Sequence, residues 1–312
     1  MCLPKLVCIV GTTASGKSDL AVALALQFGG EVVSADSMQI YRGFDIGTAK
    51  ITAAEMRGVA HHMLDVVPPD GAYSVADYCR DAERAVAGIL SRGRLPVVAG
   101  GTGLYVDSLI GNTQFAGDKA DPAYRASLQQ YAREYGADTL HAKLRAHDPE
   151  YAEKTHANNV KRVIRALELY RATGKTMAEL AAQSKRPPRY ECLKIGLRFA
   201  DRQELYRRID RRVDAMMARG LLKEVDGLLA QGVSPAAQAM QGIGYKELAA
   251  YRAGSISLDE AVASIKQNSR RYAKRQLTWF QRDASVVWFE VDGDGEKVFD
   301  KAQKTLENFV SP

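Results

Sequence analysis

The loop Gly11-Thr12-Thr13-Ala14-Ser15-Gly16-Lys17-Ser18 follows directly on the apolar run Leu6-Val7-Cys8-Ile9-Val10. This G-x-x-x-x-G-K-S pattern constrains the fold strongly, because it works only between a strand and the helix that it opens. Both flanks are legible, the helix beginning at Ser18-Asp19-Leu20-Ala21. The glycines let successive backbone N–H groups turn inward around a phosphate. Lys17 adds a point charge, the Ser18 hydroxyl can ligate Mg²⁺, and the helix N-terminus adds a partial positive charge. The expectation is a diphosphate or triphosphate held by Gly11, Thr12, Thr13, Ala14, Ser15, Gly16, Lys17 and Ser18.

The rest of residues 1–111 reads as α/β. Strand candidates are Leu6–Val10, Glu31–Ser34 and Leu95–Ala99, and Ala76–Leu90 reads as an amphipathic helix. Across 112–192 strand patterns vanish. Helices are expected over Pro122–Tyr135, Ala137–Ala146 and Val160–Ala172, with Lys185-Arg186-Pro187-Pro188-Arg189 closing a helical insertion. The α/β pattern resumes over 193–312 with Leu193–Leu197 and a last strand, Val286–Phe289. Asp201–Glu204 and Ser257–Glu260 read as capping boxes, opening helices to Ala218 and to about Phe280. Strands alternating with helices predict a parallel sheet wound on both faces, around a phosphate-loop core with a small all-helical insertion domain.

Other residues carry chemistry. Asp36 follows the second strand at its carboxyl end, the edge where open α/β sheets bind ligands. A carboxylate there can act as a general base, hold Mg²⁺ indirectly, or simply cap a turn. Gly100-Gly101-Thr102-Gly103 follows another strand and lets backbone approach a ligand closely. Neighbouring His61 and His62 point to opposite faces of a strand, so structural roles are expected. Cys2, Cys8, Cys79 and Cys192 are scattered and read as reduced thiols of a cytoplasmic protein. No apolar run of about 18 residues is present, so no membrane span is expected.

The formal net charge is +6, and the cations cluster. From Ala261 to Arg282 stand Lys266, Arg270, Arg271, Lys274, Arg275 and Arg282 without an acid. Lys266, Arg270 and Lys274 line one helix face, interleaved with Tyr272, Trp279 and Phe280. Lys161-Arg162-Val163-Ile164-Arg165 forms a second basic stretch, and Arg207, Arg208, Arg211 and Arg212 a third that Asp210 and Asp214 partly offset. Basic faces with aromatic residues suit an RNA backbone and splayed bases.

Taken together, these motifs resemble the bacterial tRNA dimethylallyltransferases, also called tRNA isopentenyltransferases. The matching stretches are Gly11–Ser18, Asp36–Lys50 (DSMQIYRGFDIGTAK), His61–Val66, Gly100–Tyr105 (GGTGLY), Val160–Glu168, Arg208–Val225, Gln241–Glu247 (QGIGYKE) and Gln267–Phe280. Thr12 and Ile51 stand where the family commonly has proline, and the zinc finger of eukaryotic relatives has no counterpart here. The resemblance implies transfer of a dimethylallyl group from dimethylallyl diphosphate to the exocyclic amine of the adenosine 3′ of a tRNA anticodon. It implies Asp36 as proton acceptor, Thr102 and Arg212 on the diphosphate, and Mg²⁺ as cofactor; nothing in the sequence demands more than a monomer. The implied tRNA contacts are Asp36, Ser37, Met38, Gln39, Lys161, Arg162, Val163, Ile164, Arg165, Gln241, Gly242, Ile243, Gly244, Tyr245, Lys246, Lys266, Arg270, Lys274 and Arg275. A phosphate-loop kinase of a small metabolite, an RNA-binding ATPase switch and a transferase acting on free adenine nucleotides share the loop. The kinase and the free-nucleotide transferase leave the basic helices without a task, and the RNA-binding switch predicts RNA affinity with no alkylation product.

Overall fold

The computed structural model describes residues 3–115, 121–184, 186–292 and 295–311. Cys2 and Lys185 lie outside the described residues. The chain divides into two compact units, Met1–Ile110 with Pro188–Pro312, and Gly111–Pro187.

In the first unit the first half runs β1 (Lys5–Gly11), α1 (Lys17–Gln27), β2 (Gly30–Ser34), α2 (Ala53–Met56), β3 (His61–His62), α3 (Val75–Ser91), β4 (Leu95–Ala99) and α4 (Gly103–Ile110). The second unit holds α5 (Pro122–Tyr135), α6 (Ala137–His147), α7 (Pro149–Glu153), α8 (Val160–Thr173) and α9 (Met177–Ser184). The first unit then resumes with β5 (Glu191–Arg198), α10 (Arg202–Ala218), α11 (Leu221–Ala230), α12 (Tyr245–Arg252), α13 (Leu258–Phe280), β6 (Val286–Glu290) and α14 (Gly295–Val310). Glu191 and Cys192 belong to β5, so the helical unit ends ahead of the boundary drawn from composition.

The six strands pair in parallel in the order β3-β2-β4-β1-β5-β6. Alternation along β1 explains why both faces are covered. Leu6, Cys8 and Val10 pack into one core with Val33, Val98 and residues of α3, α4, α10, α11 and α13. Val7 and Ile9 pack into the other with Leu20 and Leu24 of α1 and Ala302 and Leu306 of α14. A strand buried on both faces reads as a continuous apolar run, and Leu6–Val10 does. Helix α14 is a large element that the sequence reading leaves out. Its Val298, Phe299, Ala302, Leu306 and Phe309 recur at helical spacing and pack into the second core.

The Ser257–Glu260 capping box on α13 is present. The box expected on α10 is not complete. Asp201 accepts from the Gln203 N–H at 2.7 Å, but Glu204 turns to Arg207, Arg208 and Arg211. Three nearby guanidiniums outcompete one backbone N–H for that carboxylate.

The carboxyl ends of β1, β2 and β4 are stitched together by backbone. The Ala35 N–H donates to Ala99 at 2.8 Å, that of Gly100 to Ile9 at 3.1 Å, and that of Thr102 to Ala35 at 3.1 Å. This brings the phosphate loop, Asp36 and the glycine loop to one edge of the sheet. His61 and His62 form the short β3 and serve structure, His61 bonding Val59 O and His62 bonding Glu31.

The helical unit has its own core of Leu128, Leu140, Leu144, Ala152, Val163, Ile164, Ala166 and Leu167. Buried Glu168 takes a two-point bond from Arg125, both at 2.8 Å. Buried Asp148 caps α7 through Tyr151 N–H and also accepts from Met177 N–H.

Candidate active site

The loops at that sheet edge open onto a cavity of about 650 Å³. One wall is the phosphate loop. Gly16, at φ +83°, turns the chain into α1, and no side chain caps that helix. The first N–H groups of α1 therefore face the cavity without a capping acceptor. Not all eight loop residues do so. Gly11 and Thr12 are buried at the end of β1, and Thr12 gives its carbonyl to Ser15 Oγ and Lys17 Nζ. The Thr13 N–H is bonded to Gln276 Oε1 at 2.8 Å. The segment left to cradle phosphate is Ala14–Ser18.

Lys17 makes no ion pair among the described residues. Burial, then the charge of Arg212, push its ammonium down to about 7, against the pull of Asp36. Arg212 likewise has no hydrogen bond or ion pair among the described residues. Burial lowers its pKa while Asp36 opposes. Two half-buried cations facing one cavity, neither matched by its own acid, form a site for an anion.

Asp36 faces the same cavity. Its Oδ1 accepts from the N–H groups of Met38, at 2.8 Å, and Gln39, at 3.4 Å. The carboxylate thus caps the turn 36–39 with one oxygen, and Oδ2 has no partner among the described residues. Thr102 stands behind this turn rather than in the cavity wall. Its Oγ1 accepts from Ser37 N–H at 3.0 Å and bonds Ser37 Oγ at 3.3 Å. In this structure the Thr102 hydroxyl holds the Asp36 turn.

In Gly100-Gly101-Thr102-Gly103, Gly100 and Gly101 line the cavity, and the segment also packs closely on its neighbours. A Cβ on Gly100 would lie 2.2 Å from Ala35 O, and one on Gly103 would lie 2.3 Å from the Trp279 ring. Close chain-to-chain approach takes up that space.

An apolar wall of the cavity was missed from sequence. Ile209, Val213 and Met216 of α10 line it with Leu221, Ile243 and Ile265. The signal was present, since Ile209, Val213 and Met216 share a helix face with Arg212. The cavity therefore combines charge for phosphates with hydrocarbon in its lining.

The remaining candidates separate into those that are free and those that are not. Gln39 is fixed by Thr48 O, Ala49 O and Ser34 Oγ. Met38 packs where Gly242 lacks a Cβ, which would lie 2.5 Å from the Met38 Cε. Gln241, Gly242, Ile243, Gly244 and Lys246 line the cavity, and Glu247 accepts from Gly244 N–H at 2.8 Å. Tyr245 also lines the cavity but is mostly buried, with its ring filling the space beside Gly47 and its hydroxyl donating to Glu224 at 2.6 Å.

On α13, Lys266 pairs with Asp214 at 2.6 Å and Arg270 with Asp210 at 2.5 Å, both acids on α10. Their charges are already matched. Arg271 and Lys274 are exposed and make no ion pair among the described residues. Arg275 lies over Tyr272 at the cavity. The interleaved aromatics face inward: Phe280 is core, Trp279 donates to Asp107 at 2.7 Å, and Tyr272 lines the cavity. In α8, Lys161 and Arg162 are exposed and Arg165 lies 4.0 Å from Glu168. Val163 and Ile164 belong to the core of the helical unit, which corrects the expectation that they touch RNA.

Ser18 is exposed at the cavity, and its hydroxyl has no partner among the described residues. No group of three or more His, Cys, Asp or Glu side chains suited to a metal occurs among the described residues. A Mg²⁺ ion that keeps most of its ligands from phosphate oxygens and water fits this donor set. No described helix is long and apolar enough to cross a membrane.

A sequence model of the IPP transferase family matches residues 39–283. The chain is 51% identical over 300 residues to the tRNA dimethylallyltransferase of Geobacillus thermodenitrificans, covering 96% of this chain and 94% of that relative. Among solved structures, the tRNA isopentenylpyrophosphate transferase of Bacillus halodurans matches with a TM-score of 0.74 and 45% identity, over 97% of this chain and 96% of that one. A eukaryotic dimethylallyltransferase acting on tRNA matches with a TM-score of 0.81 and 27% identity, over 98% of this chain and 80% of that one.

Proposed function

The chain belongs to the IPP transferase family, and from that premise we propose that it transfers a dimethylallyl group from dimethylallyl diphosphate to N6 of the adenosine 3′ of a tRNA anticodon. The observation that carries this reading is one cavity joining Lys17 and Arg212, neither paired with an acid, to Asp36 and an apolar wall. A kinase site needs the cations but gives the hydrocarbon wall nothing to do.

The chemistry follows from that layout. The N6 lone pair attacks the first carbon of the dimethylallyl group. The carbon–oxygen bond breaks, and its electron pair leaves on the diphosphate. Lys17, Arg212 and the N–H groups of Ala14–Ser18 oppose the growing charge. The apolar wall of Ile209, Val213 and Met216 receives the isoprenoid tail. Asp36 takes the N6 proton through its unpartnered Oδ2. Thr102 holds the Asp36 turn through Ser37. The target base leaves its stack to reach the cavity. Ser18 is the residue that would hold Mg²⁺, which when bound supplies charge that neutralises the departing diphosphate. We propose that the enzyme acts as a monomer.

The test is incubation with labelled dimethylallyl diphosphate, Mg²⁺ and an anticodon stem-loop. Label transferred to RNA with release of diphosphate supports the assignment. Loss of the γ-phosphate from ATP without transfer, or alkylation of free adenine nucleotides alone, would overturn it.

For the RNA surface, the ion pairs redirect attention from Lys266 and Arg270 to Arg271 and Lys274, and in the helical unit to Lys161 and Arg162. Alanine at both Arg271 and Lys274 is expected to weaken stem-loop binding. The slope of log affinity against log salt should fall by about 0.7–0.9 for each RNA phosphate that the protein no longer neutralises. Alanine at both Lys266 and Arg270 should change it less, because those cations are already matched by Asp214 and Asp210. An unchanged slope in the Arg271/Lys274 variant would make that face merely solvated. Affinity for dimethylallyl diphosphate should stay at the parental value throughout.

A further inference from the structure

We propose that Gln276 is a positioning residue that fixes the spacing between the leaving-group site and the proton acceptor. This rests on the reaction proposed above. Gln276 lies on α13 and is only 4% exposed. A buried primary amide is costly unless both of its ends are bonded. Here both are, and to different loops. Its Oε1 accepts from Thr13 N–H at 2.8 Å, and its Nε2 donates to Gly101 O at 3.1 Å.

A second feature points the same way. Gly101 is not among the positive-φ glycines, so its backbone does not demand glycine. A Cβ there would lie 2.0 Å from Gln276 Nε2. The missing side chain makes room for the amide of α13.

Each loop leads to one half of the chemistry. Thr13 opens the Ala14–Ser18 segment that faces the leaving phosphates. Gly101 precedes Thr102, whose Oγ1 holds Ser37 N–H next to Asp36. One side chain therefore ties the cradle of the departing diphosphate to the turn that carries the base. Trp279, one turn further along α13, anchors the same helix to Asp107. Misplacement of reacting groups by an ångström suffices to slow a reaction about 100-fold.

Gln276→Met keeps the length and removes both bonds. Its single-turnover transfer rate at saturating substrates is expected to fall about 10–100-fold. Inorganic diphosphate should bind about tenfold more weakly by calorimetry, because the loop loses its anchor at Thr13. Stem-loop affinity should remain parental, which separates positioning from general damage. Gly101→Ala displaces the amide while leaving Gln276 in the chain, so it should reproduce these losses. The double variant should be no worse than either single one, since each breaks the same bridge. A parental transfer rate together with parental diphosphate affinity in Gln276→Met would overturn the proposal. So would losses that multiply in the double variant. Absence of transfer by the unmodified protein would overturn the assigned reaction instead, and the diphosphate measurement would still decide the role of Gln276.

Discussion

Asp36→Asn is expected to lower the transfer rate about 10²–10⁴-fold, the usual loss when a general base is removed. Asparagine is the informative substitution because of how Asp36 is held. Its Oδ1 accepts from Met38 and Gln39 N–H groups, and an amide oxygen can accept both. The turn should survive, and only the ability to take a proton at the other terminal atom is lost. Alanine would open the turn as well and confound the reading. Diphosphate affinity separates chemistry from structure. Asp36 is a negative charge beside Lys17 and Arg212. Its removal takes away a repulsion on the incoming diphosphate, so binding should hold or tighten while turnover collapses. Single-turnover kinetics with calorimetry of diphosphate would check both. A rate within about threefold of the parent, against the loss expected of a general base, would reduce Asp36 to a turn cap.

Much of this site was legible because its signals are local. The phosphate loop, its strand and its helix sit within residues 5–27, and each carries its own pattern. The α13 capping box and the continuous apolar run of β1 are equally short-range. What escaped depends on which elements face each other. Arg270 and its partner Asp210 are 60 residues apart, so an acid-free run read as a free basic face is in part an ion-paired seam with α10. The glycines of the GGTG segment read as room for a ligand; Gly100 and Gly101 do line the cavity, and the missing Cβ atoms also make room for Ala35, Gln276 and Trp279. Nothing local distinguishes these cases, since both need a missing Cβ. Val163 and Ile164 are a different matter. With Leu167 they sit at the spacing of one buried helix face, so their place in a core could have been read from the pattern.

Lys17→Ala is expected to slow transfer about 10²–10³-fold, comparable with loss of a donor aimed at charge that develops in the transition state. Diphosphate should also bind more weakly. The burial that makes Lys17 effective also makes it titrate near neutrality, and this gives a second, sharper readout. Without an anion the ammonium is pushed down to about 7 by burial and by Arg212. A bound diphosphate favours the charged form and raises that pKa. Below pH 7 Lys17 is already protonated, and its contribution to affinity is flat. Above pH 7 binding must take up a proton, so affinity should fall about tenfold per pH unit until the pKa of the complex is reached. Ionisation of diphosphate itself is common to parent and variant and cancels in the ratio of their affinities. The ratio should therefore decline above pH 7 when the parent is compared with Lys17→Arg, whose guanidinium stays charged. Calorimetry in buffers of different ionisation enthalpy should show about one more proton taken up by the parent than by that variant at pH 8.5. A flat ratio would mean that Lys17 remains an ammonium throughout, held by Asp36 against its burial. Parental rates and affinity in Lys17→Ala would go further and remove the Ala14–Ser18 loop from the leaving-group site.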